Sequence, residues 1–220
     1  MELSLAQFLD FSKDDSVQII DTRISNEFLQ GYIPGAIHIE LDAIKTLNAL
    51  KIMEQDCPII LLCTEGTEEL AIKRFELLGY TQVRGFLKGG FATWVEADQK
   101  IDLIIEVEVD ELAMDIPFDE YLMILDIRTE DVYDKAHIKD SINLPLIEFS
   151  DPGSMSELDE HFNIYIIDDL GKELLLAASV LKKQGIHNIR IVQDGWDAVE
   201  FLKNKFTIVA SPKKPTSTED

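Results

Sequence analysis

Residues 17–41 read VQIIDTRISNEFLQGYIPGAIHIEL, and residues 122–146 read LMILDIRTEDVYDKAHIKDSINLPL. Each stretch opens on an apolar run that ends in Asp-x-Arg, Asp21 and Arg23 in the first and Asp126 and Arg128 in the second. Each then passes through a short helical pattern and closes on another apolar run. The offset of 105 residues persists along the chain: PIILLCTEGTEEL from Pro58 answers NIYIIDDLGKELL from Asn163, Gly66 falls on Gly171, and KGGFATW answers QDGWDAV. Agreement at one offset over this length is a tandem duplication. Each copy, at roughly 100 residues, is long enough to hold its own core.

Within each copy, short β-branched runs alternate with helical patterns, which predicts an α/β fold of two tandem domains, each a mainly parallel central sheet flanked by helices. Residues 17–21 and 59–63 are continuous apolar runs of the kind buried on both faces. Residues 25–30 and 68–78 read as helices, the second ended by Gly79. A turn at 33–36 leads into a strand at 37–39, and a strand at 83–87 precedes Gly89-Gly90 and a helix beginning near Phe91. The second copy repeats this order with strands at 123–126, 142–144 and 164–168 and a helix over 172–184. The alternation IDLIIEVEVDELAMDIP, from Ile101, either adds a strand or joins the domains. The expected division is 1–100, 101–206 and a disordered tail at 207–220.

The chain carries 42 acidic against 20 basic residues, a net charge of −22. That excess repels polyanions, so nucleic acid and anionic membrane surfaces are not expected as partners. No apolar run approaches the ~20 residues of a membrane span. MELSLAQFLDFSKDD lacks the basic start and long apolar core of a secretory signal. The two cysteines, Cys57 and Cys63, are separated by a predicted strand spanning roughly 20 Å, too far for a disulfide. The expectation is a reducing, cytoplasmic setting with free thiols.

Cys63 stands where a buried strand turns through a loop into a helix. Backbone N–H groups of residues 64–69 should therefore face its sulfur, and unpaired N–H groups with a helix dipole favour an anion there. The resulting expectation is a lowered thiol pKa. Gly66 allows the tight bend. A thiolate held in this way can take up a sulfane sulfur and carry it as a persulfide, with no metal and no organic cofactor. In the second copy Asp168 replaces the cysteine.

With these residues the chain resembles a tandem rhodanese, the sulfurtransferase superfamily built of two homologous α/β domains. The resemblance rests on DTR at 21–23 and DIR at 126–128, on GYIPGAIHI, on the C-x-x-G loop at 63–66, and on the LGY…KGGFATW ending, over residues 3–204. It implies that Cys63 is the nucleophile that takes the persulfide and that the second copy, with Asp168 and Gly171, is catalytically silent. Many two-domain members keep the active cysteine in the C-terminal copy, so the arrangement is reversed here.

The loop Thr64, Glu65, Gly66, Thr67, Glu68, Glu69 also departs from the family, whose members often carry basic residues there, single-domain ones an Arg five positions after the cysteine. A carboxylate ~8 Å from the sulfur costs an anion roughly 0.5–2 kcal/mol. The expected donor is accordingly a neutral small molecule or a persulfide-carrying protein in preference to thiosulfate. By the same resemblance Asp21 and Arg23 are structural, tying the strand end to the catalytic loop.

Other features read as ordinary structure. Asp168 and Asp169 have no third ligand near them in sequence and suit a solvated strand end better than a metal. His38, His137, His161 and His187 form no ligand spacing and are expected partly exposed. Cys57 reads as inert, and Trp94 and Trp196, at nearly equivalent helix positions, as core or interdomain packing. The leading expectation is a sulfurtransferase. A rhodanese-like interaction module that has lost turnover is the alternative, and a phosphatase fits poorly because its loop would end in Arg.

Overall fold

The computed structural model describes residues 1–44, 51–53, 55–151, 153–154 and 158–212. Strands β1 (Glu2–Leu3), β2 (Gln18–Asp21), β3 (Ile37–His38), β4 (Ile59–Leu62) and β5 (Val83–Leu87) form an all-parallel sheet in the order β1-β5-β4-β2-β3. Strands β6 (Ile105–Val107), β7 (Leu122–Asp126), β9 (Ile142–Asn143), β10 (Asn163–Ile167) and β11 (Ile189–Val192) form a second, in the order β6-β11-β10-β7-β9. Exchanging each strand for its repeat partner turns one order into the other, so the duplication read from sequence is a duplication of topology. The stretch from Ile101 resolves as β6 followed by a helix, and β6 occupies the edge position that β1 holds in the first sheet.

Helices α1 (Leu5–Phe11), α2 (Ser25–Leu29), α3 (Glu68–Leu77), α4 (Gly90–Glu96), α5 (Val109–Asp115), α6 (Glu130–Tyr133), α7 (Leu174–Lys183) and α8 (Gly195–Phe201) cover the sheets. α1 begins with a capping box: the Ser4 N–H donates to Gln7 Oε1 at 2.9 Å, and the Gln7 N–H donates to Ser4 Oγ at 3.4 Å. Such reciprocal bonds satisfy N–H groups that the first helical turn leaves unpaired. The four residues of β4 are all buried because helices cover both faces of its sheet.

The corresponding helices α3 and α7 differ in environment. α3 buries only Ala71 and Phe75, whereas every residue of α7 from Leu174 to Leu181 is buried. α7 packs on its own β10 and β11 and also on β3 of the first sheet. A helix that is apolar all round needs cover all round, and the second sheet alone supplies one side. The hydroxyl of Ser179 accepts the His38 N–H at 3.0 Å and donates to the Leu176 carbonyl at 2.9 Å, so the only polar side chain in that run is satisfied. The linker is pinned nearby: Tyr32 and Asp102 pair through their backbones, the Tyr32 hydroxyl donates to Asp102 Oδ2 at 2.9 Å, and Lys182 Nζ donates to Asp102 Oδ1 at 2.8 Å.

Three expectations change. Residues 208–209, assigned to the tail, form β12 (Ile208–Val209), antiparallel to β8 (His137–Ile138), because the apolar pair has an open edge to cover. Residues 213–220 of the expected tail lie outside the described residues. His38 and His137 are buried instead of partly exposed. The His38 ring packs on Phe28 and bonds the Arg23 carbonyl, while His137 stacks on Tyr133 and bonds its carbonyl, so each ring has both an aromatic neighbour and a polar partner. Finally, the repeat partner of Trp196 is Phe91. Each lies under the arginine of its own copy, Arg128 at 3.9 Å and Arg23 at 4.2 Å, while Trp94 donates to the Lys100 carbonyl at 2.7 Å.

Candidate active site

Cys63 follows the last residue of β4, at the carboxyl end of a parallel sheet, the edge at which open α/β folds gather their functional loops. The strand is buried up to this point, and Cys63 itself is 5% exposed. The chain then turns through Thr64–Thr67 into α3, with Gly66 at φ +85°, a left-handed conformation that a Cβ disfavours. Thr67 closes the turn, its N–H and hydroxyl both donating to the Thr64 carbonyl at 3.1 and 2.7 Å. Thr64 in turn donates its hydroxyl to Glu27 Oε2 at 3.0 Å, which ties the loop to α2. Among the described residues no acceptor takes the N–H of Gly66 or Glu68, and α3 has no side-chain cap.

The second copy has the same loop with its N–H groups occupied. Asp168 follows β10, Gly171 repeats the left-handed turn at φ +76°, and the Asp168 carboxylate accepts the N–H of Gly171 through one oxygen and that of Glu173, at 2.7 Å, through the other. Burial raises the Asp168 pKa, the two N–H groups pull it down, and Asp169 adds to the rise. Gly195 is required beside it, since a Cβ there would collide with the Asp168 carbonyl and carboxylate. Asp168 is therefore turned inward onto the loop and buried, not solvated as expected of a strand end, while Asp169 stays exposed.

The expected lowering of the Cys63 pKa does not follow from this geometry. Burial pushes the Cys63 thiol up to about 12; a hydrogen bond with Thr22 opposes the rise, and the charges of Glu68 and Asp21 add to it. No backbone N–H among the described residues donates to the sulfur, so only Thr22 works against burial. The N–H groups expected to face the sulfur do not reach it, whereas the pair that binds Asp168 meets atoms two bonds beyond Cβ.

Asp21 and Arg23 form a buried forked pair, Arg23 Nη2 to Asp21 Oδ2 at 2.6 Å and Nε to both oxygens at 3.0 Å. The guanidinium also donates to the carbonyls of Gly31 at 2.9 Å and Glu27 at 3.3 Å. Arg128 repeats this on Asp126 and the Ala136 carbonyl. The pair thus ties the strand end to the α2 turn, and the expected tie to the 64–69 loop is made by Thr64 and Glu27 instead.

A cavity of about 930 Å³ opens over Cys63. Thr64, Glu65 and Glu68 of the predicted loop line it, while Gly66, Thr67 and Glu69 do not; Arg23 also reaches it. The far wall comes from residues that the sequence did not assign to the site: Glu2, Leu5, Phe86, Lys88 and Phe91. Over Asp168 lies a smaller cavity of about 440 Å³, lined by Arg128, Lys172 and Glu173 among others.

The profile of the Rhodanese-like domain matches residues 4–97 and again 108–201. The chain belongs to the rhodanese family. It is 33% identical over 113 residues to the "Putative sulfur carrier protein YrkF" of Bacillus subtilis, an alignment that covers 51% of this chain and 58% of that protein. It is 30% identical over 97 residues to the thiosulfate sulfurtransferase GlpE of Shewanella oneidensis, covering 44% of this chain and 93% of GlpE. Among solved structures it is similar to SseA of Escherichia coli, a 3-mercaptopyruvate sulfotransferase, with 17% identity, a TM-score of 0.39, and coverage of 89% of this chain and 98% of that one. Both rhodanese units have the parallel sheet with flanking helices described above. Among the described residues, no helix is long and apolar enough to cross a membrane.

Proposed function

We propose that this rhodanese moves a sulfane sulfur through a persulfide on Cys63 to a thiol or another nucleophile, with residues 1–100 as the sulfur-carrying unit and 101–206 as its silent partner. One observation carries the reading. In the second copy the loop holds an anion two bonds beyond Cβ, the Asp168 carboxylate on the Gly171 and Glu173 N–H groups, and in the first copy the matching N–H groups of Gly66 and Glu68 have no acceptor among the described residues. The outer sulfur of a persulfide is likewise two bonds beyond Cβ, one S–S bond of ~2.05 Å past the thiol sulfur. The outer sulfur of a loaded Cys63 would therefore stand where the second copy has the carboxylate oxygens of Asp168.

Uptake from a persulfide R–S–SH forms the bond from Cys63 Sγ to the outer sulfur and breaks the donor's S–S bond. The thiol proton of Cys63 ends on the leaving R–SH. Delivery reverses the process with the acceptor as nucleophile. Intact-protein mass spectrometry after treatment with a low-molecular-weight persulfide should show one added sulfur, lost in Cys63→Ser. No added sulfur, or one that survives that substitution, would sink the proposal.

The raised thiol pKa favours a second reading, an interaction module in which the domains hold a basic protein partner without turnover. Such a module would retain its partner in Cys63→Ser and take up no sulfur.

A further inference from the structure

We infer, resting on the transfer reading above, that the sulfur donor of Cys63 is a small persulfide bearing an ammonium group. Four carboxylates line the cavity over the thiol, those of Glu2, Glu27, Glu65 and Glu68, against two cations, Arg23 and Lys88. Both cations are engaged. Arg23 is forked onto buried Asp21 at 2.6 Å, and Lys88 pairs with Glu2 at 3.1 Å. Glu27 accepts the Thr64 hydroxyl. Glu65 and Glu68 have no cationic partner among the described residues, and Glu68 is near enough to act on the thiol through its charge. The rest of the lining mixes apolar residues such as Leu5, Phe86 and Phe91 with uncharged polar ones and adds no positive side chain.

A cavity of about 930 Å³ over a reactive group is of the size that takes small molecules. A dianion such as thiosulfate would enter against the two unpaired carboxylates, whereas an ammonium two or three carbons from the sulfur would be drawn to them while the sulfur reaches Cys63. Charges in a cleft raise the local concentration of a counter-charged substrate and lower that of a like-charged one. At about 8 Å each such charge is worth roughly a factor of two to thirty, depending on the solvent between.

The test compares three persulfides of similar size: cysteamine persulfide (cationic), 2-mercaptoethanol persulfide (neutral) and 3-mercaptopropionate persulfide (anionic). The readout is the single-turnover rate of sulfur appearance on Cys63, by mass spectrometry. The order cationic, neutral, anionic is expected, with the first at least about tenfold above the last. Added salt should slow the cationic donor and speed the anionic one. Glu65→Gln with Glu68→Gln should bring the three within about threefold, the neutral donor serving as the internal reference for a working thiol.

Equal rates, an anionic preference, a reversed salt effect in the unaltered protein, or an order unchanged in the double variant would each overturn the inference while leaving transfer intact. Loading by none of the three overturns the transfer reading and this inference with it.

Discussion

The Asp168 carboxylate accepts the Glu173 N–H at 2.7 Å, bridging the end of one strand to the start of the helix that the two domains share. The same carboxylate takes the Gly171 N–H. Asp168→Ala would leave both donors half-buried and without their acceptor, and should lower stability by about 1–3 kcal/mol in urea unfolding. Asp168→Cys should place a thiol in a loop already shaped around an anion, so that mass spectrometry after persulfide treatment detects a second added sulfur, retained in Asp168→Cys with Cys63→Ser.

The Cys63 thiol, raised to about 12 by burial, is almost wholly protonated near neutrality. The thiolate fraction there is on the order of one in 10⁵. Alkylation of Cys63 should accelerate about tenfold per pH unit from pH 7 to 10 with no plateau in that range. A plateau below pH 9 would show that the resting loop already stabilises the thiolate.

Among the described residues Arg23 is the only cation paired with the buried Asp21 carboxylate, and its remaining N–H groups hold the Gly31 and Glu27 carbonyls. Arg23→Ala should cost about 3–5 kcal/mol, because it leaves a buried charge without compensation. Arg23→Lys should recover only part of this, since an ammonium cannot make the forked contact. Denaturant midpoints at equal slope would measure both.

Burial holds the His38 pKa below the usual histidine value, against the pull of Asp21, the Arg23 carbonyl and Glu40. The sign follows from linkage: below about pH 6.5 the unfolded chain binds a proton that the folded chain refuses, so stability present above that pH is lost as pH falls. His38→Gln should flatten the stability profile between pH 6.5 and 5. An unchanged slope would assign acid sensitivity to other groups.

Ser179 lies at the domain contact, accepting the His38 N–H at 3.0 Å. Ser179→Ala should cost about 1–2 kcal/mol by leaving that N–H buried and unpaired. Thermal unfolding of the full chain would measure it.

Several of these features were legible in the sequence. The Asp-x-Arg pairs, the matching glycines and the alternation of strands and helices all survive in the structure, because strand and helix periodicity is a local property. Helix α1 is equally legible, since Ser4 and Gln7 carry the spacing of a capping box ahead of a short apolar pattern. The apolar run LLLAASVL in α7, set against the mixed EELAIKRFEL of α3, already signals that only α7 is covered on all sides. What no local pattern shows is that Glu2, Lys88 and Phe91 come to the same cavity as Cys63, since β1 joins the sheet edge from the other end of the domain.

From the sequence alone came the tandem repeat, the α/β class and the placement of Cys63 and Asp168 at matching strand ends, since each is carried by spacing along the chain. The direction of the Cys63 pKa shift was decided only by tertiary structure, because burial, Thr22, Glu68 and Asp21 reach the sulfur from separate segments. The acidity of the cavity was decided in the same way: a carboxylate counts as unpaired only once the positions of Arg23 and Lys88 are known. Charge and burial act through space, and the fold alone sets those distances.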